Sequence, residues 1–123
     1  MAEKTLYERL GGYDAIAAVA NELVARLQSD AKLGRFWQHR GSDGVAREKQ
    51  LLIDFLCASA GGPLLYTGRD MRISHTGMRI DEADWSALVG HLNATLDKFG
   101  VPSAERALVV GFVQSTKSDI VGV

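Results

Sequence analysis

The chain has 123 residues, of which 46% are hydrophobic and 24% are charged, and its formal net charge is −1. This length and composition predict a single soluble globular domain spanning residues 1–123. The balanced charge argues against a nucleic-acid-binding protein, and no apolar run approaches the ~20 residues that a membrane span needs.

The N-terminal sequence and the cysteine content indicate the cellular compartment. The first twelve residues, MAEKTLYERLGG, are charged and amphipathic, without the apolar segment of a secretory signal. Cys57 is the only cysteine, so no intramolecular disulfide can form. We therefore expect a cytoplasmic protein in which Cys57 is a small core residue.

The spacing of apolar residues in the first half of the chain predicts helices. The predicted segments are residues 3–9, Tyr13 to about Gln28, a capped short helix within SDAKLGRFW (residues 29–37), and about Val45 to Ala60. In the short segment, Leu33, Phe36 and Trp37 share one face. The sequence RGSDG at 40–44 predicts a loop, and Gly61-Gly62-Pro63 predicts the end of the fourth helix.

The second half of the chain is predicted to be helical as well. A short helix is expected near residues 69–76, and Asp81 has the spacing of an N-cap that pairs with Asp84. An apolar stripe from Trp85 to Phe99 predicts a long helix, and Pro102 predicts the start of a last one. No segment has a convincing period of two, so the expected fold class is all-α, with four longer helices and several short ones.

The familiar catalytic motifs are missing from the sequence. There is no glycine-rich phosphate loop, no H-E-x-x-H, no C-x-x-C and no nucleophile elbow. Their absence argues against most hydrolases and nucleotide enzymes. It leaves open a protein whose chemistry is carried by a bound cofactor.

Of the three histidines, His75 is the candidate metal ligand. We interpret His39 as a solvated loop residue. We interpret His91 as a packing or surface residue on a helix. His75 lies within MRISHTGMRI (residues 71–80), one helical turn after Met71 and close to further apolar residues. It is either a partly exposed histidine on a short helix or an iron ligand at the wall of an apolar pocket.

Four stretches decide between these alternatives: LYERLGG at 6–12, LQSDAKLGRFW at 27–37, AGGPLLYTGRDMRISHTGMRI at 60–80, and DWSALVGHLNATLDKFGVP at 84–102. With these motifs the chain resembles the group I truncated haemoglobins, the short two-over-two globins. The resemblance implies a truncated globin fold around haem b (protohaem IX), with His75 as the proximal iron ligand. It also implies a hydrogen bond that fixes the other imidazole nitrogen.

The resemblance also implies which other residues contact the haem. Those expected to pack against the porphyrin are Phe36, Trp37, Leu52, Phe55, Leu56, Met71, Ile80, Trp85 and Leu88. The nearest candidates for binding the propionates are Tyr66, Thr67, Arg72 and Arg79, since a guanidinium suits a carboxylate.

The distal side departs from the family pattern. Where the family has a Phe-Tyr pair in the second helix, this chain has Glu22 and Leu23. The predicted distal pocket consists of Leu23, Trp37, Glu48, Lys49, Leu51 and Leu52. Because most of these offer no hydrogen-bond donor, we expect weak retention of oxygen and good binding of carbon monoxide, with Trp37 the preferred donor.

Three functions follow from these expectations. The first is reversible binding of a diatomic gas (O2, CO or NO), for transport or sensing. The second is a haem oxidoreductase on the same scaffold, such as a nitric-oxide dioxygenase or a peroxidase-like enzyme with a reductase partner. The third, from a different class, is a cofactor-free helical interaction module, in which His75 would be dispensable.

Overall fold

Helices make up the described part of the chain. The computed structural model describes residues 5–38, 41–62 and 71–122, with the backbone alone for residues 73 and 74. The α-helices are α1 (Leu6–Leu10), α2 (Gly12–Ser29), α3 (Ser42–Ser59), α4 (Met71–His75), α5 (Glu82–Lys98), α6 (Ser103–Gln114) and α7 (Lys117–Ile120), and a 3-10 helix covers Leu33–Phe36. No strand occurs in these ranges, and the four longest helices are the four predicted ones.

Two helix starts differ from the prediction. Helix α1 begins at Leu6 because Thr5 is extended and caps it, with the Glu8 amide donating to Thr5 Oγ1 at 3.2 Å; residues 3 and 4 lie outside the described ranges. The predicted loop at 40–44 is wrong for its last three residues, since α3 begins at Ser42. The first-turn amides of a helix need no intrahelical acceptor, and Asp43 faces the positive end of the helix dipole, so polar residues suit this turn.

The C-terminal helix α7 was not predicted from the sequence. Its four residues, KSDI, carry a single apolar side chain, which is too few for a helical stripe. Ile120 is nevertheless buried, and the Gly122 amide donates to the Ile80 carbonyl oxygen at 3.0 Å. The chain end is therefore held against the segment that follows α4.

Two glycines, Gly11 and Gly62, let the chain pass close to helix α1. Gly11 has φ +107° between α1 and α2, a conformation that side chains rarely adopt. A Cβ atom on Gly62 would lie 2.5 Å from the ring of Tyr7, whose amide donates to the Ala60 carbonyl oxygen at 2.9 Å. These contacts bring the end of α3 onto α1.

The long helices form two packed layers. Helix α2 contacts α3 and α5, helix α5 contacts α6, and α1 bridges α2 and α6. One buried apolar cluster lies mainly between α2 and α3 and another mainly among α2, α5 and α6; their members are Ile16, Ala20, Ile53, Leu56 and Cys57 in the first, and Leu23, Leu92, Leu96 and Val109 in the second. Cys57 is fully buried as predicted, and burial raises the pKa of its thiol.

Within residues 5–38, 41–62 and 71–122, no helix is both long enough and apolar enough to cross a bilayer.

Candidate functional site

A cavity of about 630 Å³ lies between the helical layers. This volume is within the range of about 300–1,000 Å³ that is usual for ligand and cofactor sites. The wall formed by α2, the 3-10 helix and α3 consists of Leu23, Leu27, Leu33, Phe36, Trp37, Arg47, Glu48, Leu51, Leu52, Phe55 and Leu56. The remaining wall, from α4 to α7, consists of Met71, His75, Met78, Ile80, Asp84, Trp85, Leu88, Leu92, Val113, Thr116 and Ile120.

His75 is the last residue of α4 and lies half-buried at this cavity. Its Nδ1 is 2.7 Å from the carbonyl oxygen of Met71. A carbonyl can only accept, so in the neutral ring the proton is on Nδ1 and the lone pair is on Nε2. This is the arrangement in which a neutral imidazole ligates a metal, with its second nitrogen fixed by a backbone acceptor.

Trp85, on α5, lines the same cavity as His75. It is buried, and its indole N–H donates to Gln114 Oε1 at 3.1 Å. The hydrogen bond holds the ring between α5 and α6, and it satisfies the one polar atom of the side chain. Trp85 therefore presents an apolar face to the cavity.

The wall from α3 is set by helical spacing. Leu51 and Leu52 lie three and four residues after Glu48, Phe55 and Leu56 lie four residues after these two leucines, and all five side chains reach the cavity. Lys49 is not among the residues that line the described cavity, and its place in the distal pocket stays a prediction.

An ion-pair cluster joins the two walls at the 3-10 helix. Asp84 is 1% exposed, and Arg35 donates to its two carboxylate oxygens from Nη1 at 3.0 Å and from Nη2 at 2.7 Å. The Arg35 guanidinium also lies 4.1 Å from the centre of the Phe36 ring. These contacts connect the aromatic segment of one wall to the start of α5 in the other.

The charges of this cluster shift the pKa of each partner. The hydrogen bonds from Arg35 hold the pKa of Asp84 far below its ordinary value, against the opposing effect of burial. The same bonds raise the pKa of Arg35. Asp81 caps α5 as predicted, because the Asp84 amide donates to Asp81 Oδ1 at 2.7 Å, and Asp84 Oδ2 in return accepts from the Asp81 amide at 3.0 Å.

A second polar contact holds the start of the 3-10 helix. Asp30 accepts from the amides of Lys32 and Leu33 at 2.7 and 2.9 Å, and its Oδ2 is 2.7 Å from His91 Nε2. The hydrogen bond with His91, followed by those from the two amides, lowers the pKa of Asp30 to about 2. His91 is half-buried and does not line the cavity, which agrees with its predicted packing role.

Comparison with known families identifies the chain. The family model described as bacterial-like globin matches residues 5–121. The chain belongs to the bacterial-like globins. As a member of this family it is a haem-binding globin that binds a diatomic gas.

Individual relatives place this globin among the group 1 truncated haemoglobins. It is 29% identical over 119 residues to the group 1 truncated haemoglobin of Tetrahymena pyriformis, covering 97% of this chain and 96% of that protein. It is 30% identical over 116 residues to the group 1 truncated haemoglobin GlbN of a Nostoc species, covering 94% and 96%. The crystal structure of the Tetrahymena pyriformis protein in its Fe(III) form has a TM-score of 0.88, with 28% identity and coverage of 98% and 100%. The predicted family and the truncated two-over-two fold are confirmed.

Most residues predicted to contact haem in this globin lie at the cavity. The structure brings together the predicted contacts Phe36, Trp37, Leu52, Phe55, Leu56, Met71, His75, Ile80, Trp85 and Leu88, and the predicted distal residues Leu23, Glu48 and Leu51. Glu22 instead accepts from Arg26 at 2.9 Å and from Lys98 at 2.6 Å, away from the cavity. The haem contacts themselves stay predictions.

Two of the four predicted propionate ligands of the globin are described by the structure, and neither lines the cavity. Arg72 and Arg79 are exposed and do not line it, while Tyr66 and Thr67, like His39, lie outside the described residues. Arg47 does line the cavity, and the sequence analysis did not predict this residue. Arg47 directly precedes Glu48, a predicted distal residue, and this neighbourhood could have indicated that it lies at the cavity.

Other lining residues were missed for two reasons. Leu27, Leu33 and Leu92 were recognised as apolar helix positions but not as cavity residues, since helical spacing alone does not separate core from cavity. Thr116 lies between α6 and α7 and Ile120 is the last residue of α7, a region with no periodic apolar pattern. Met78 follows His75 by three residues, and that spacing could have identified it.

Proposed function

We propose that this globin binds haem b in the 630 Å³ cavity through His75 Nε2 and reversibly binds one diatomic gas, O2, CO or NO. The observation that carries the proposal is the 2.7 Å contact of His75 Nδ1 with the Met71 carbonyl oxygen at the wall of that cavity. It leaves Nε2 as the nitrogen with a lone pair. A bound haem supplies an iron atom with a coordination position for a small gas.

The composition of the cavity fits a flat, largely apolar cofactor. Leucine, phenylalanine and tryptophan side chains dominate the wall from α2 to α3, and Met71, Ile80, Trp85 and Leu88 continue it next to His75. Burying these side chains against a porphyrin would remove apolar surface from water at about 25 cal/mol per Å². The same apolar contacts would exclude water from the position that the gas occupies.

The charged ends of the cofactor need cationic or hydroxyl partners at the rim. Arg47 is the cation at the wall of the described cavity, and Arg72 and Arg79 are exposed nearby in sequence to His75. We assign Arg47 as a propionate partner alongside the predicted Tyr66, Arg72 and Arg79. A guanidinium donates two parallel hydrogen bonds to a carboxylate, which favours arginine at such a position.

The gas position is proposed to be weakly polar. Leu23, Leu51 and Leu52 offer no donor, so the Trp37 indole N–H is the preferred donor to a bound gas. We expect faster oxygen dissociation than in relatives that supply a tyrosine hydroxyl. Trp37→Phe should accelerate oxygen release further, by roughly five-fold for the loss of one hydrogen bond of about 1 kcal/mol, and should leave carbon monoxide affinity nearly unchanged.

Visible absorption spectra test the proposal. Apo-protein is titrated with haemin, and spectra are taken in the ferric, ferrous and ferrous-CO states for the wild type, His75→Ala and His91→Ala. His91 is a matched control, because it is a half-buried histidine that lies off the cavity. We expect normal spectra for His91→Ala and weakened or altered ones for His75→Ala. A chain that folds but takes up no haemin would overturn the proposal in favour of an interaction module.

The oxidoreductase alternative differs from gas binding because it predicts that the haem-loaded protein consumes a substrate. Gas binding predicts reversible oxygenation without consumption of an added electron donor. Sustained consumption of nitric oxide or peroxide with a reductase, at rates above free haemin, would favour the alternative. We further propose a cytoplasmic location, where the single cysteine, buried in α3, would stay reduced.

A further inference from the structure

We propose that Arg35 is a positioning residue of the cofactor site, which holds the 3-10 helix against α5 and so determines how long a bound cofactor is retained. The inference rests on the proposed function, because the cavity that this contact closes is the one assigned to haem. Arg35 is exposed and is not among the residues that line the described cavity. It acts through two neighbours that do line it, Phe36 and Asp84.

The first contact of Arg35 is with the cavity wall on α5. Its Nη1 and Nη2 atoms donate to the two carboxylate oxygens of Asp84 at 3.0 and 2.7 Å. Parallel donation from a planar guanidinium fixes the direction of the pair as well as its distance. Asp84 is almost completely buried, so solvent and salt screen this pair less than an ordinary surface ion pair. The next residue of α5 is Trp85, so the contact is anchored beside an aromatic residue of the wall.

The second contact of Arg35 is with the 3-10 helix itself. The guanidinium carbon lies 4.1 Å from the centre of the Phe36 ring, well within the ~6 Å reach of a cation–π interaction. Arg35 Nη1 also donates to the carbonyl oxygen of Lys32, the residue that precedes this helix. A single side chain therefore contacts the backbone before the 3-10 helix, the aromatic ring at its end and the opposite wall.

The 3-10 helix depends on such tertiary contacts because it is short. It has four residues, and a helix of that length is not stable on its own. Asp30 holds its start by accepting from the amides of Lys32 and Leu33. Lys32 Nζ also lies 3.4 Å from Asp84, but a single ammonium lacks the two-pronged geometry of a guanidinium. Phe36, at the other end of the helix, lies beyond these contacts at the start.

Local opening of this segment would release a ligand without unfolding the protein. Short segments open at a lower free-energy cost than the whole fold does. Phe36 and Trp37 belong to the cavity wall, so an opening between the 3-10 helix and α5 would expose the cavity to solvent. Arg35 opposes this opening, because its hydrogen bonds to Asp84 must break first. Cofactor release should therefore depend on Arg35 more strongly than global stability does.

Amide hydrogen exchange in apo-protein tests the inference without haem. The variants are Arg35→Gln, Arg35→Lys and Arg9→Gln. Arg9 is the matched control, because its side chain is 37% exposed against 40% for Arg35 and it also joins two helices, through Glu105 at 3.1 Å. Arg9 is not among the residues that line the described cavity.

We expect Arg35→Gln to speed exchange of the Gly34 and Trp37 amides about ten-fold, the size expected for losing a charged hydrogen-bonded pair that is partly solvated. The amide of Leu96, buried in α5, reports global opening and should change by less than about two-fold. Arg35→Lys keeps the charge without the two-pronged donor and should fall between the wild type and Arg35→Gln. Equal acceleration at all three amides would overturn the inference, because the role of Arg35 would then be general stability.

A double-mutant cycle with Asp84→Asn tests the partner of Arg35. In the Asp84→Asn background, Arg35→Gln should speed exchange of the Trp37 amide by about three-fold or less, since the carboxylate that it pairs with is already gone. An undiminished ten-fold effect in that background would overturn the assignment of the pair. The double variant also removes both charges together, so no buried charge is left without its partner.

Haem transfer to an acceptor apoglobin completes the test. We expect Arg35→Gln to lose haem about ten-fold faster than the wild type, and Arg9→Gln to match the wild type within about two-fold. Equal haem-loss rates in the wild type and Arg35→Gln would overturn the inference. If the protein takes up no haemin, the proposed function fails, while the exchange rates of apo-protein still judge whether Arg35 holds the 3-10 helix.

Discussion

At the residue scale, the polar side chains around the cavity are held by several partners at once. Asp84 accepts from Arg35 and from the Asp81 amide, while its own amide donates to Asp81. A buried carboxylate with this many donors stays ionised at a lower pH than one in water. Its charge is therefore coupled to the stability of the fold.

Replacing Asp84 by Asn tests this coupling. We expect a loss of about 1–2 kcal/mol in the free energy of unfolding at pH 7, discounted because Arg35 is partly solvated. The pKa of Asp84 is lowered in the folded state, so the contribution is fully present above the ordinary value of 3.8 and is lost as pH falls towards the folded pKa. The difference between wild type and variant should therefore shrink below about pH 4, as urea unfolding at several pH values would measure.

The control for this experiment is Glu82→Gln in the same first turn of α5. Glu82 is exposed and pairs with Lys117 at 2.8 Å, so its loss should cost less than about 1 kcal/mol. A pH-independent deficit in Asp84→Asn would contradict the account of its ionisation.

Arg79 carries the one positive φ of a non-glycine residue within the described ranges, at +57°. This conformation costs about 1–2 kcal/mol for an L-residue, and glycine avoids it at the expense of greater freedom in the unfolded chain. We expect Arg79→Gly to stabilise apo-protein by about 0.5–1 kcal/mol in urea unfolding. Arg72→Gly, within helix α4, should destabilise it by about 1 kcal/mol. Destabilisation by both substitutions would show that the Arg79 backbone is not strained.

At the element scale, local patterns were predictable and long-range contacts were not. The Asp81–Asp84 cap joins residues three apart, so the sequence alone predicted it correctly. The contact of Arg35 with Asp84 joins residues 49 apart, and no periodicity indicates it. Helix α7 escaped prediction because tertiary contacts of Ile120 and Gly122, rather than helix propensity, hold it.

The same limit applies to the site. The resemblance named His75 and most of the apolar residues that line the cavity, since these positions follow a family pattern along the chain. It did not name Arg47, which lines the cavity, and it named Lys49, which is not among the lining residues and whose place in the distal pocket stays a prediction. Which side chains of a helix reach a cavity depends on how that helix is rotated against its neighbours.

The role of α7 can be tested with two substitutions. Ile120 is buried and lines the cavity, so Ile120→Ala should lower the free energy of unfolding by about 2–3 kcal/mol and should speed haem transfer to an acceptor apoglobin. Lys117→Ala removes only the exposed pair with Glu82 and should cost less than about 1 kcal/mol. Equal haem-loss rates in the two variants would argue against α7 as a cavity wall.

At the scale of the whole molecule, the two helical layers leave a cavity where other folds would have a continuous core. The histidine faces this cavity with one nitrogen fixed, and the opposing α3 wall combines leucines with one carboxylate. A ligand that fills the cavity joins the layers and should stabilise the fold by mass action. We propose that this ligand is haem, bound through His75.

The measurement that tests this claim most directly is the ferrous absorption spectrum of haem-loaded His75→Gly with and without added imidazole. Without imidazole the spectrum should differ from that of the wild type, and imidazole should restore it by occupying the space left by the ring. His91→Gly should match the wild type throughout. A His75→Gly spectrum identical to the wild type in the absence of imidazole would contradict the claim that His75 ligates the iron.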